Sequence, residues 1–264
     1  MSRSSAAPVR TAPTARRLRR ALALAGTLLT AGAGIARGQS VSVDSIPGTL
    51  VRFEMVEIPG EPFWVGRTEV TWDMYDAFAL SRPDSAEPRI SADAVARPTR
   101  PYGAPDYGWG HAGFPVISVA HTAAAAFCEW LSARTGKRYR LPTEAEWLRV
   151  ARLAAPGDSL APDTRDAVAW HAGNGGGRTH RVGEKQRDAL GLHDLFGNAA
   201  EWVTGGGSRP VLRGGSFRDA PARVGPTARA VQDDTWNERD PQIPQSRWWL
   251  SDAPFAGFRL VREP

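Results

Sequence analysis

The side chains most able to do chemistry are few and scattered. The chain has one cysteine, Cys128, and five histidines: His111, His121, His171, His180 and His193. A lone thiol excludes an internal disulfide framework, a thiolate metal cluster and two-thiol redox exchange within the chain. The histidines show neither H-x-x-x-H nor H-E-x-x-H spacing, so no helical metal pair is legible. Ser208 and Ser216 lie among glycines, yet neither sits in a G-x-S-x-G elbow and no Ser/His/Asp set accompanies them. Gly205-Gly206-Gly207-Ser208 lacks the lysine and the following helix of a phosphate loop. Asp233, Asp234, Glu238 and Asp240 surround Trp236, with Arg247-Trp248-Trp249 beyond. Acids beside exposed aromatics suit a carbohydrate or peptide ligand; if buried, the same tryptophans pin an ordered loop.

The elements that must position these groups are short. Val51, Phe53, Met55 and then Phe63, Val65, separated by Pro59-Gly60, predict a hairpin. Thr71 opens a helix from Trp72 to about Leu80, and residues 82–110 read as an irregular loop. Ala124, Phe127, Cys128 and Leu131 recur at helical spacing and predict a helix ending at Gly136, with Cys128 in the core rather than at a reactive site. Thr143 and Glu146 form a capping-box pattern ahead of the stripe Trp147, Val150, Ala151, Ala154. Beyond residue 156 come glycine-rich loops and short apolar runs, closing on a strand-like Gly257–Val261. Ten tryptophans, 27 glycines and 21 prolines suit loops held by large aromatic anchors. Two main helices, short strands and much loop predict an irregular α+β domain.

The charge balance is misleading until it is located. The 264 residues carry 33 Lys+Arg against 28 Asp+Glu, a net of +5. Residues 1–38 hold seven of the arginines and no acid, so the remainder has 26 basic against 28 acidic residues, a net of −2. The surplus belongs to a leader whose apolar run, Ala21 to Ala36, is followed by small residues. That pattern predicts a signal peptide over 1–38, a linker over 39–49 and one domain over 50–264, with export to the periplasm or the extracellular space. A nearly neutral body gives no footprint for nucleic acid. No later stretch is apolar enough for a membrane span, so no stable span is expected once the leader is cleaved.

Four blocks then match one family in order. They are Arg67–Thr71 (RTEVT), Thr135–Trp147 (TGKRYRLPTEAEW), Gly173–Trp202, and LRGGSF (Leu212–Phe217) paired with GFRLV (Gly257–Val261). Together they resemble the formylglycine-generating-enzyme, or sulfatase-modifying-factor, domain family. The resemblance implies a single irregular, loop-rich domain related to C-type lectins over residues 50–262. It also implies an oxygen-dependent oxidation of a sulfatase cysteine, using two cysteines after the Gly-Gly-Ser motif that bind Cu(I). Here those positions fall at Asp219 and Val224. Neither supplies the soft thiolate that Cu(I) prefers, so copper is not expected and no catalytic residue is assigned.

The same resemblance implies a calcium site. Its ligands would be the side chains of Asp194 and Glu201 and main-chain oxygens near Leu195, Gly197 and Ala199; the alternative is that Asp194, Asn198 and Glu201 only cap and hydrogen-bond the turn. A hard cation takes six to eight oxygens, and a glycine-containing turn can point several carbonyls inward. His171 and His180 flank a glycine-rich loop of the third block and are expected to hydrogen-bond rather than ligate. The family's substrate groove lies near the Trp236 loop, which makes Trp236, Arg247, Trp248, Ser216 and Asp219 candidates for a ligand surface. The expected protein is a binding or structural module for a protein, peptide or carbohydrate. The rivals are a metal-dependent oxidoreductase using ligands such as Asp219 with a nearby histidine, and an accessory subunit of a partner enzyme.

Overall fold

A computed structural model of the chain describes residues 40–80, 105–241 and 243–264. The leader and most of the 82–110 loop lie outside the described residues. Among the described residues the chain forms four α-helices and nine short strands in two sheets. The first sheet has the order β1-β2-β3-β9-β4: β1 (Val41–Ser45), β2 (Arg52–Glu57), β3 (Trp64–Gly66), β4 (Tyr139–Arg140) and β9 (Val261–Arg262). The expected hairpin is β2–β3, with Met55 opposite Gly66 and Met55 and Val56 fully buried.

Residues 41–45 of the expected linker are instead an edge strand, paired Val41 to Val56 through Ser45 to Arg52. The physical reason is Asp44. Its carboxylate points into the protein, where Tyr139 Oη (2.6 Å), Arg262 Nη1 (2.6 Å) and Lys137 Nζ donate to it. Val41 and Val43 face outward. The usual alternation is thus inverted, with the acid inside and the valines outside. Burial pushes the Asp44 carboxyl up, but these three donors outweigh it and hold the group below the usual carboxylate range.

The helices follow their sequence signals closely. α1 (Trp72–Ala79) buries Trp72, Met74, Tyr75 and Phe78. Thr71 sits at its N-cap in an extended conformation but makes no side-chain cap bond. α2 (His121–Thr135) buries Ala124, Phe127, Cys128 and Leu131 and ends at Gly136, whose φ of 70° is the left-handed cap that glycine tolerates. α3 (Glu144–Ala154) carries the complete capping box: Thr143 Oγ1 accepts from Glu146 N at 3.2 Å, and Glu146 Oε2 accepts from Thr143 N at 2.8 Å. Arg140 forks onto the same Glu146 carboxylate at 2.7 and 2.8 Å, tying β4 to the helix start. α4 (Pro162–Val168) lies where the sequence shows no helical period, because it buries no residue and so carries no apolar stripe.

The second sheet, β7-β6-β5-β8, is the platform for the site. It comprises β5 (Ala200–Val203), β6 (Val211–Arg213), β7 (Arg229–Val231) and β8 (Ala256–Gly257), with β5 and β8 parallel. The single strand expected over 257–261 is divided: β8 belongs to this sheet and β9 to the first, and buried Phe258, Arg259 and Leu260 cross between them. One apolar cluster lies under α1 and α2, another under α3. Five of the tryptophans (Trp72, Trp147, Trp202, Trp248 and Trp249) are buried pins, as with Trp202, whose Nε1 donates to Val119 O at 2.8 Å. No helix among the described residues is long and apolar enough to cross a membrane.

Candidate functional site

The turn after β6 borders a groove. Gly214 has a φ of 89°, and a Cβ there would lie 2.7 Å from Leu195 O, so the backbones of two loops touch where only glycine fits. Ser216 follows, buried, and its N and Oγ both donate to Asp219 Oδ2 at 2.8 Å. A 3₁₀ turn, Pro221–Arg223, then delivers Val224 to the core. Outside this turn lies a groove of about 630 Å³, with small residues Ala200 and Ala230 beside Leu212, and with Trp236, Phe255, Arg218 and Arg223 also in its lining. That volume is in the range of ordinary ligand sites.

The charges of the groove are unequally committed. Arg229 bonds Glu144 Oε1 and Gly206 O, each at 2.7 Å. Asp219 is bonded to Ser216. Arg218 and Arg223 are exposed and have no acidic partner among the described residues; Arg218 lies 4.7 Å over the Phe255 ring. Sequence reasoning missed both arginines, since a free surface cation leaves no periodicity or motif.

Ser216, Asp219 and Trp236 therefore share one groove. Arg247 and Trp248 do not join them. Trp248 is a core residue, 4% exposed, whose main-chain oxygen accepts from Ala120 N at 2.9 Å. Arg247 covers its ring from the solvent side, 4.9 Å from the centroid. Trp248 is apolar wall, and a large ring that close to α2 is more stable packed than exposed. Trp236 is half-buried, tilted against Trp202 at 5.9 Å and edge-on to Phe255 at 5.0 Å. Two of the acids around it serve its own loop: Asp233 Oδ1 accepts from Thr235 N, and Asp240 Oδ2 from Ser246 N.

The Asp194–Glu201 turn is built differently. Asp194 and Asn198 have φ of 53° and 51°, and a Cβ on Gly197 would fall 2.2 Å from Trp170 O. Glu201 is fully used: Oε1 accepts from Arg259 Nε at 2.7 Å and Oε2 from Trp147 Nε1 at 2.8 Å. Arg259 spends its remaining nitrogens on Gly66 O (2.8 Å) and His193 O (2.7 Å). Asp194 Oδ2 accepts from Gly183 N at 2.7 Å, while buried Oδ1 has no partner among the described residues. Leu195 and Ala199 are buried, and Ala199 N donates to Glu69 Oε1 at 2.9 Å.

The two carboxylates of this turn are a poor match to a calcium ion. The orphaned Asp194 oxygen is the one favourable feature. Against it, Glu201 has no free oxygen and a guanidinium sits beside it, where a cation would be repelled. Among the described residues no group of three His, Cys, Asp or Glu is arranged to hold a metal. Burial pushes Asp194 up to about 6, with Glu201 adding to the shift, and pushes Glu69 well above the carboxylate range with Asp194 next in effect. Glu69, whose Oε2 accepts from Asn198 Nδ2 at 3.1 Å, is a hub of this turn that the RTEVT block contained without revealing. His171 and His180 hydrogen-bond: His171 Nδ1 accepts from Gly173 N and its Nε2 faces Asp166, while His180 Nε2 faces Gly175 O and stacks on Trp170. Asp219 is held by Ser216, and the nearby His171 is turned toward Asp166. Cys128 is buried on α2, and burial pushes its thiol far up, away from thiolate reactivity.

The glycine-tight turn over the groove and the Glu201–Arg259 link join the third and fourth sequence blocks into one site. A family model described as "Sulfatase-modifying factor enzyme 1-like domain" matches residues 20–264. The chain belongs to this family. The formylglycine-generating enzyme of Mycobacterium tuberculosis is 33% identical over 113 residues, covering 35% of this chain and 34% of that protein. The match thus spans about a third of that relative's length. Among solved structures, Treponema denticola variable protein 1 is similar with a TM-score of 0.60 at 21% identity, covering 85% of this chain and 99% of that one. CarF is similar with a TM-score of 0.51 at 23% identity, over 85% and 97%. PvdO from Pseudomonas aeruginosa has a TM-score of 0.50 at 20% identity, over 86% and 92%. At these identities the likeness is one of fold, and function must be read from the site.

Proposed function

We propose that this sulfatase-modifying-factor-like chain is an exported, non-catalytic binding domain that uses the groove beneath the Gly214-Gly215-Ser216 turn. The observation that carries the reading is the chemistry of that turn. Where the family's thiol pair would stand, Asp219 is engaged with Ser216 and Val224 is buried in the core. The side chains lining the groove offer oxygen, nitrogen and hydrocarbon but no sulfur. Cu(I) would have no soft ligand there, and electrons could not be relayed through a disulfide. Export is supported by the arginine-rich, apolar leader of residues 1–38.

The test is direct. The purified chain is incubated with a Cys-x-Pro-x-Arg peptide, oxygen, a reductant and Cu(I), and aldehyde is followed by mass spectrometry. No aldehyde above the metal-only control is expected. Enzyme-dependent aldehyde would overturn the reading.

A further inference from the structure

We propose that the chain pairs with a second copy of itself through its first strand, β1 lying antiparallel to β1 about a two-fold axis at Val43. The two five-stranded sheets then join into one. β1 contributes no residue to the groove of the second sheet, so this surface is separate from it.

Three observations carry it. The first is the state of the strand's outer edge. Glu57 N donates to Ser40 O at 3.0 Å and Ile46 N to Val51 O at 3.1 Å. Antiparallel alternation therefore puts the bonded pairs at Ser40, Ser42, Asp44 and Ile46, and the N–H and C=O groups of Val41, Val43 and Ser45 point away from β2. None of these groups has a partner among the described residues. The second is that the other three sheet edges are guarded. Ser132 Oγ bonds both Tyr139 N (2.8 Å) and Tyr139 O (3.1 Å), which closes β4. β8 is buried, and β7 is three residues long and carries Arg229. β1 has no such guard. It holds no lysine, arginine or proline, its one charge, Asp44, points inward, and Val41 and Val43 are 40% and 60% exposed. Edges are ordinarily blunted by charge, proline or a bulge, and an apolar one left open is a template for another strand. The third is self-complementarity, which selects a second copy. An axis at Val43 sets Val43 against Val43 of the second copy and Val41 against its Ser45, so three pairs bond and no charge meets its like. An axis at Asp44 would set two carboxylates face to face, and one at Ser42 would leave Ser45 outside the pairing. The two-fold is closed, because each copy spends its open edge on the other.

The experiment uses the purified exported chain, with mass read by sedimentation equilibrium and proximity by thiol cross-linking. The weight-average mass is expected to rise with concentration from one chain toward two, and the melting temperature to rise with it. Val43→Pro removes a donor that makes no bond in a single copy, at an edge position where proline is tolerated. It and Val43→Lys are expected to weaken the dimer at least tenfold while matching the parent's melting temperature at dilution. Val43→Thr keeps the donor and the branched side chain and is expected to keep the dimer. With a short bismaleimide, Val43→Cys is expected to link two copies at least tenfold faster than Val231→Cys on the β7 edge. The native Cys128 is buried, so the parent chain serves as the blank. A parent that stays monomeric up to about 1 mM overturns the proposal. A dimer untouched by both Val43→Pro and Val43→Lys, or equal cross-linking from the two edges, overturns it in favour of another surface. Growth beyond two copies overturns the closed two-fold.

Discussion

Glu201 and Arg218 show opposite fates for a charged side chain in one small domain. Glu201 and its partner Arg259 are each 1% exposed at the side chain, and every polar atom of the Glu201 carboxylate is bonded. Arg218, across the same sheet, is exposed and has no acidic partner among the described residues. The family resemblance that makes Glu201 a candidate ligand points to a residue whose two oxygens are each bonded within the fold. The residue with bonding capacity to spare sits in no motif. Function in this fold is therefore to be sought where charge is left uncommitted, and stability where it is fully spent.

The comparison breaks most visibly at Glu201. Glu201→Gln leaves a buried guanidinium facing a neutral amide, and removing one partner of a buried, bonded pair costs about 3–5 kcal/mol. Urea unfolding followed by tryptophan fluorescence should show that loss with little change in the denaturant slope. A loss under about 1 kcal/mol would mean that water reaches the pair and that Glu201 is available to ligands after all.

Asp194 sharpens the contrast, because it is buried without full satisfaction. Burial raises its folded pKa from 3.8 to about 6. A raised carboxyl favours the protonated fold, so its contribution is complete below pH 3.8 and is lost as pH rises through about 6. Between pH 4 and 7 the protein should lose up to about 3 kcal/mol through this group. Asp194→Asn should flatten that slope and be the more stable protein at pH 7. Adding a calcium chelator should leave the melting temperature of the parent chain unchanged. A chelator-induced drop that Asp194→Asn abolishes would instead reveal a bound ion, since a ligand of the native state stabilises it by mass action.

Why some of this was legible and some was not follows from range. The stripe through Phe127, Cys128 and Leu131 and the Thr143/Glu146 box are decided within one or two helical turns, so neighbouring residues announce them. Asn198 and Glu69 are 129 positions apart, and Arg259 and Glu201 are 58 apart. Nothing beside either residue tells that the chain will bring them together. β1 was hidden by its inverted pattern, since only Lys137, Tyr139 and Arg262 make it reasonable to bury Asp44. Ser216 and Asp219 come together over three residues because the Gly-Gly-Ser turn is a local constraint. Trp248 was misplaced because residue type alone does not say whether a tryptophan faces a ligand or pins a loop.

The smallest effect should arise at His111, a charged group intermediate between the two extremes. Its Nε2 lies 2.8 Å from Asp76 Oδ2 and its Nδ1 3.0 Å from Asp106 Oδ2, while the ring stacks on Trp72. Only the imidazolium has a proton on both nitrogens, so only that form donates to both carboxylates. Burial pulls its pKa down, but the two acids outweigh it and hold the group above its ordinary 6.5. The clasp therefore stabilises fully below that value and fades as pH rises through the higher folded pKa. With 44% of the ring side chain exposed, solvent screening limits the effect to less than about 1 kcal/mol. His111→Gln should lower stability at pH 6, have no effect at pH 9, and lose its effect in 0.5 M salt. Asp194 shifts stability in the same direction with pH, but through burial rather than attraction, so its slope should survive that salt. A salt-insensitive His111 effect, or one equal at both pH values, would sink the clasp and leave the ring as packing against Trp72.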